Sequence, residues 1–169
     1  MSARTELLLR PGLPSPAAAH AHRAALLVLR DSLRTAHLDA YSDEPWPADV
    51  LPSYEHALSL AETAAPPGPR PAKRRDLGMG IDLDPRDDAH FTVLLDLAPH
   101  TISAEAHGDE GPLFSASDTG TALWIAVTPA QEALLGERLD ALGIPRTVFT
   151  PHEGRGGRFW DRLLPWAGR

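Results

Sequence analysis

The sequence of 169 residues contains no cysteine. This absence excludes a disulfide framework, a zinc site built on thiolates and a cysteine nucleophile. No apolar run approaches the roughly 20 residues of a membrane span, and the three leucines between Arg4 and Arg10 are too few for a signal-peptide core. We therefore expect a cytoplasmic protein that does not contact a membrane.

Lysine is almost missing as well, since Lys73 is the single example and arginine supplies the other basic side chains. The formal net charge is −7, and residues 82–140 carry twelve acidic and two basic side chains. A field of this sign repels nucleic acid and attracts basic partners. The alternative interpretation is a charged surface that only keeps the protein soluble.

Hydrophobic spacing predicts helices in the N-terminal part of the chain. Apolar residues recur every three or four positions from residue 15 to about 40, and Ser15 followed by Pro16 is typical of a helix start. A second helix is predicted over residues 52–64. Residues 65–76 are rich in proline and basic side chains, which indicates an exposed linker. The expected organisation is a single domain over 1–169, with a helical segment (1–64), this linker, and a sheet-and-helix segment (77–169).

Short β-prone runs dominate the second half, at residues 91–97, 101–107, 113–117 and 121–128. Their short connections favour antiparallel neighbours, hence a meander. A helix with four inward leucines is predicted over 129–142, followed by a return strand at 144–150 and a short helix at 158–166. The predicted fold class is α+β: N-terminal helices, then an antiparallel sheet of about four to five strands with a covering helix and a short C-terminal helix.

An acidic segment supplies the main candidate site. The predicted partner-binding residues are Asp82, Asp84, Asp87, Asp88, Asp109, Glu110 and Trp46, the last held between two prolines and expected to be the most exposed aromatic. Together with His90, the same segment has the oxygen and imidazole groups that hold metals in small hydrolases. However, His90, His100 and His107 are not spaced as a known ligand set, so we expect no metal and no cofactor.

Two short motifs resemble catalytic ones but are incomplete. Asp118-Thr119-Gly120 resembles the turn of aspartic proteases, whose chemistry needs two aspartates, and a hairpin turn requires the same residues. His90-Phe91-Thr92-Val93 resembles the strand motif of two-histidine phosphoesterases, which need a second copy that the sequence lacks. We therefore assign no catalytic residue.

Several remaining residues have weaker interpretations. Arg155, Gly156, Gly157 and Arg158 precede the predicted terminal helix and form a candidate anion-binding loop. His20 and His22 are expected to be exposed, and Trp124 to lie in the sheet core.

The leading functional hypothesis is a non-catalytic domain with an acidic face that binds a basic protein, such as an inhibitor or immunity protein that neutralises a toxin or nuclease. The first alternative is a small metal-dependent hydrolase or phosphoesterase using residues 82–90. The second is an adaptor subunit of a larger assembly. The sequence does not predict an oligomeric state.

Overall fold

The protein is described here by a computed structural model that covers residues 3–40, 45–64 and 76–152. Seven strands form one antiparallel sheet: β1 (Thr5–Leu9), β2 (Thr35–Asp39), β3 (Ile81–Leu83), β4 (Ser103–Gly108), β5 (Gly111–Ser117), β6 (Ala122–Val127) and β7 (Phe149–Pro151). Four helices accompany them: α1 (Ser15–Leu29), α2 (Leu51–Ala64), α3 (Asp88–Leu97) and α4 (Pro129–Ala141). The α+β class is therefore confirmed, with more strands than expected.

The strand order across the sheet is β3-β2-β4-β5-β6-β1-β7. The predicted meander is its centre, where β4, β5 and β6 are consecutive neighbours. The return strand predicted over 144–150 is shorter and later than expected, because residues 146–148 form a 3-10 turn and only β7 is a strand. It pairs with β1 at one edge of the sheet, and β3 forms the other edge. Both edge strands have only three residues, which limits the backbone available for pairing with another chain.

The helices pack side by side on one face of the sheet, in the order α2-α3-α1-α4. Alternating side chains on the strands explain why that face is buried. Ala36, Ala106, Phe114, Ile125 and Leu7 lie opposite one another on successive strands and are at most 4% exposed. Burial of this apolar face between sheet and helices provides the core.

Two predicted elements are wrong in type. Residues 35–39 were expected to continue the first helix, but they form β2, because Ala36 and Leu38 point into the core in a two-residue period between β3 and β4. Residues 91–97 were expected to be a strand but belong to α3. The carboxylate of Asp87 caps this helix by accepting hydrogen bonds from the N–H groups of Ala89 and His90.

The remaining strands that the sequence did not predict are β1 and β3, so strands and helices alternate in the N-terminal part. The start of α1 also differs, since Pro14 rather than Ser15 occupies the cap position and no side chain caps the helix. On α4, Leu135 and Leu139 are buried as predicted, whereas Leu134 and Leu142 are 42% and 48% exposed. Gly143 ends α4 with a φ of 68°, as expected for a C-terminal glycine.

His22 is fully buried, contrary to the prediction that it is exposed. Its Nδ1 lies 2.7 Å from the carbonyl oxygen of Ala18, so Nδ1 carries the proton and donates. The ring meets Phe114 edge to face, and Nε2 is buried with no hydrogen-bond partner among the described residues. Burial lowers the pKa of His22, because the charged imidazolium would lose its hydration there. His22 is therefore a neutral core residue.

Candidate functional site

The seven strands carry four carboxylates, two histidines and no lysine or arginine. The carboxylates are Glu6 on β1, Asp39 on β2, Asp82 on β3 and Glu105 on β4. Each follows or precedes a residue whose side chain enters the core, so the strand alternation turns all four away from the helices. We call this side of the sheet, defined by these four carboxylates with His37 and His107, the acidic sheet face.

His37 is the centre of the most concentrated part of the acidic sheet face. Asp82 and Glu105 lie directly opposite it on the two neighbouring strands. Its Nδ1 is 2.9 Å from Oδ1 of Asp82, and its Nε2 is 3.6 Å from Oδ1 of Asp39. One imidazole therefore lies among three carboxylates, which leaves this part of the face negative even when His37 is protonated.

The carboxylates differ in how freely they reach solvent. The side chain of Asp82 is 89% exposed, whereas those of Asp39 and Glu105 are 27% and 21% exposed. Asp39 accepts a hydrogen bond from the N–H of Gly80 at 2.8 Å, so it also holds the loop before β3. Glu105 lies 3.6 Å from Nε2 of His107 on the same strand. Asp82 is consequently the carboxylate best placed to meet a partner.

Toward β6 the acidic sheet face becomes apolar. The pairing register continues the row from Glu105 through Ser115 to Trp124 and Leu8. Trp124 is only 5% exposed, in agreement with the prediction that it is a core residue. Its indole N–H donates to Oε2 of Glu6 at 3.1 Å, which satisfies the polar atom of the ring. The charged groups of the face are thus concentrated on the half formed by β3, β2 and β4, and Glu6 on β1 is a separate exposed carboxylate.

The four aspartates of the predicted acidic segment (82–88) have different interactions in the structure. Asp84 forms a two-point ion pair with Arg86, whose guanidinium lowers the pKa of that carboxyl to about 2. Asp87 caps α3, and the hydrogen bonds that its carboxylate accepts from backbone N–H groups lower its pKa. Asp88 is paired with Arg30, which also lies over the ring of Phe91. Asp82 alone of these four side chains belongs to the acidic sheet face, beside His37.

Three other predicted partner-binding residues lie elsewhere. Asp109 and Glu110 form the turn between β4 and β5, where Asp109 pairs with Arg34 at 3.1 Å. Trp46 is half-buried, which makes it the most exposed Trp, Tyr or Phe among the described residues, and it stacks on Tyr54 with the ring centroids 4.6 Å apart. Arg155, Gly156, Gly157 and Arg158 fall outside the described residues, as do most of the predicted linker and all of the terminal helix.

The geometry does not support the two catalytic motifs. His90 and Thr92 are on a helix, so they cannot form the strand motif of a two-histidine phosphoesterase. Asp118-Thr119-Gly120 is the short turn that joins β5 to β6, as the plainer interpretation required. Within residues 3–40, 45–64 and 76–152, no group of three His, Asp or Glu side chains is arranged to hold a metal ion.

The acidic sheet face was missed because its members are far apart in the sequence. His37 and Asp82 are separated by 45 residues and meet only through strand pairing. An alternation of apolar and polar residues over 35–39 was the available signal, but it is short enough to be read as part of a helix. No helix in the described part of the chain is long and apolar enough to cross a bilayer. No family model matches this chain, and comparisons with curated proteins and with solved structures also found no match.

Proposed function

We propose that this protein is a non-catalytic, cytoplasmic binding domain that holds a basic protein partner on its acidic sheet face, as an inhibitor or immunity protein would. One observation carries the proposal: within the described part of the chain, every carboxylate of the sheet is on the side away from the helices, and no strand has a lysine or arginine to neutralise it. Interfaces that combine opposite potentials gain specificity and rapid association.

The spacing of the carboxylates fits a surface that reads an array of positive charges. Neighbouring strands are about 4.8 Å apart, so Asp82 and Glu105, on either side of His37, are separated by about 10 Å. Asp39 lies two residues along β2 from His37, on the same face. Such an arrangement suits several arginine or lysine side chains presented together, which favours a folded basic protein over a single small cation.

The acidic segment at 84–88 is a weaker candidate for this role. Asp84 and Asp88 already form ion pairs with Arg86 and Arg30. The carboxylate of Asp87 accepts hydrogen bonds from the first N–H groups of α3. A charge change at these positions would alter the local structure as well as the field. Asp82 is the better residue for testing the proposal, because its side chain is 89% exposed.

The experiment compares charge reversal on the two sides of the domain. A basic partner recovered by affinity capture, and separately a nona-arginine peptide as an electrostatic probe, is titrated against wild type, Asp82→Lys and Glu55→Lys. Glu55 is an exposed residue of α2 and provides the same charge change on the helical side. We expect Asp82→Lys to lower the association rate constant about fivefold or more, the effect of roughly 1 kcal/mol, and Glu55→Lys to change it far less.

Salt provides an independent measurement on the same complex. The Debye length falls from about 10 Å at 0.1 M to about 3 Å at 1 M, so association driven by this face must slow strongly over that range. Equal effects of Asp82→Lys and Glu55→Lys, or an association rate that does not respond to salt, would show that the acidic sheet face is not the binding surface.

A further inference from the structure

A cavity of about 280 Å³ lies at the end of the sheet where β1 leads into α1. Three segments distant in sequence form its walls: the β1–α1 loop with the first turns of α1, the turn at Pro99 and His100, and residues 119–121. We propose that this cavity binds a small organic anion, a compound with a phosphate or carboxylate group, through Arg10 and His100. This site is separate from the acidic sheet face and does not depend on its role.

The composition of the walls favours a negative ligand. Arg10, His100 and three hydroxyl residues (Ser15, Thr119 and Thr121) line the cavity, and none of the described residues that line it is acidic. Acidic residues outnumber basic ones in the chain as a whole, which has a net charge of −7, so the charge of this cavity is opposite to that of the protein. Within the described part of the chain, neither the Arg10 guanidinium nor the His100 imidazole has a hydrogen bond or ion pair, so both are available to a ligand. Arginine stays protonated throughout the physiological range.

The start of α1 adds an unpaired backbone donor beside the same cavity. Pro14 is the cap residue, and no side chain accepts a hydrogen bond from the first turn. The first helical bond runs from the N–H of Ala18 to the carbonyl of Pro14, which leaves the N–H groups of Ser15 and Ala17 without a helical partner. Of these two residues, Ser15 lines the cavity. The positive end of the helix dipole therefore acts together with Arg10 and His100.

The opposite wall is held in a fixed and costly conformation. Asp118 and Thr119 have φ values of 53° and 55°, which non-glycine residues rarely adopt, and Gly120 follows with 81°. Gly120 packs so closely on Pro99 that an added Cβ would lie 2.3 Å from the Pro99 carbonyl oxygen. Such backbone outliers cost energy and are concentrated at functional sites. Here they join the turn that carries His100 to the turn that carries Thr119 and Thr121, which fixes the shape of the cavity before a ligand arrives.

The size of the cavity limits the ligand. A volume of about 280 Å³ is at the lower end of the range for small-molecule sites, which suits a phosphate or carboxylate on a small organic body. Leu9, Leu13 and Pro11 contribute apolar surface for that body.

His100 should make the affinity of the cavity for an anion depend on pH. Burial lowers the pKa of His100, and the nearby Arg23 of α1 lowers it further. Asp96 of α3 and Asp49 before α2 act in the opposite direction, and the buried His22 of α1 also lies nearby. A bound anion favours the imidazolium, so affinity should rise as the pH falls. Sulfate is a suitable probe, since its own charge stays constant between pH 5 and pH 8.

The experiment titrates the protein with sodium sulfate at constant ionic strength, followed by calorimetry and by backbone amide chemical shifts. We expect saturable binding of one sulfate, with shifts concentrated at residues 10–19, 99–100 and 119–121, and tighter binding at pH 5.5 than at pH 7.5. Arg10→Gln and His100→Asn should each weaken binding about tenfold, the usual effect of losing a hydrogen bond to a charged group. Arg138→Gln, which removes an exposed cation from α4, is the control and should leave affinity unchanged.

A further variant keeps the test valid if Arg10→Gln or His100→Asn fails to fold. Ala19→Glu places a carboxylate at the cavity wall, at a half-buried position of α1, and should abolish sulfate binding while amide shifts elsewhere stay native. Phenyl phosphate and benzoate then distinguish the two ligand classes, and preference for either supports the site. Absence of saturable binding, or equal loss of affinity in Arg138→Gln, overturns the proposal. Asp82→Lys should not affect this binding, so the two proposals fail independently.

Discussion

Replacing Gly120 with alanine tests whether the turn after β5 is as tightly held against Pro99 as the structure indicates. Gly120 has a φ of 81°, and an added Cβ would lie 2.3 Å from the Pro99 carbonyl oxygen and 3.1 Å from its carbonyl carbon. The left-handed conformation alone costs an L-residue about 1–2 kcal/mol. Moving two backbone segments apart to relieve the contact adds about 1–3 kcal/mol, as overpacking does in protein cores.

The chain offers two controls with the same backbone strain but open space. Gly12 and Gly143 have φ values of 85° and 68°, and a Cβ added to either meets nothing within 4 Å. Gly12→Ala and Gly143→Ala should therefore show the conformational cost alone, about 1–2 kcal/mol. Gly120→Ala should lower the free energy of unfolding by about 3 kcal/mol, which corresponds to a Tm decrease of roughly 6–12 °C for a domain of this size.

Urea denaturation of the three variants at one pH gives the comparison, with the free energy of unfolding taken from linear extrapolation. The informative quantity is the difference between Gly120→Ala and the two controls, because it removes the shared strain. If Gly120→Ala lies within about 0.5 kcal/mol of the controls, the contact with Pro99 is not close in solution, and the argument for a fixed cavity wall fails with it.

Two further predictions concern pH. Burial lowers the pKa of His22, so as the pH falls the unfolded chain binds a proton at this residue before the folded protein does. The free energy of unfolding should therefore fall from pH 7 to pH 5. In urea denaturation, His22→Leu should remove the contribution of His22 to this pH dependence. The pKa of Asp84 is lowered to about 2 by Arg86, so its stabilising contribution is present above the ordinary value near 3.9 and is lost as the pH falls toward 2. Thermal unfolding of Asp84→Asn should therefore differ most from wild type at pH 5 and converge with it at pH 2, and a constant difference would contradict the ion pair.

Local patterns in the sequence were sufficient for the elements that nearby residues stabilise. The helix over 129–142 was predictable because Pro129 begins it, Gly143 ends it, and Leu135 and Leu139 recur on one face. Thr128 and Gln131 complete its start with a reciprocal capping pair that involves only neighbours. The meander β4-β5-β6 was predictable for the same reason, since each strand pairs with the next across a short turn.

Tertiary structure decided the elements whose partners are distant. Residues 35–39 have an apolar spacing that continues the first helix equally well, and they become β2 because β3 and β4 supply hydrogen-bond partners on both sides. Phe91 and Val93 favour a strand, but the Asp87 cap and the burial of Phe91 and Leu94 against neighbouring elements select a helix.

The candidate functional sites also depend partly on the sequence alone and partly on the tertiary structure. The sequence by itself determined that the protein is acidic and lacks thiolate chemistry, because charge and cysteine count need no fold. Only the tertiary structure brought Asp82 beside His37, and Arg10 and His100 to one cavity, because strand pairing and turn packing join residues separated by 45 and 90 positions. Contacts of that range depend on the whole fold, so no local pattern in the chain encodes them.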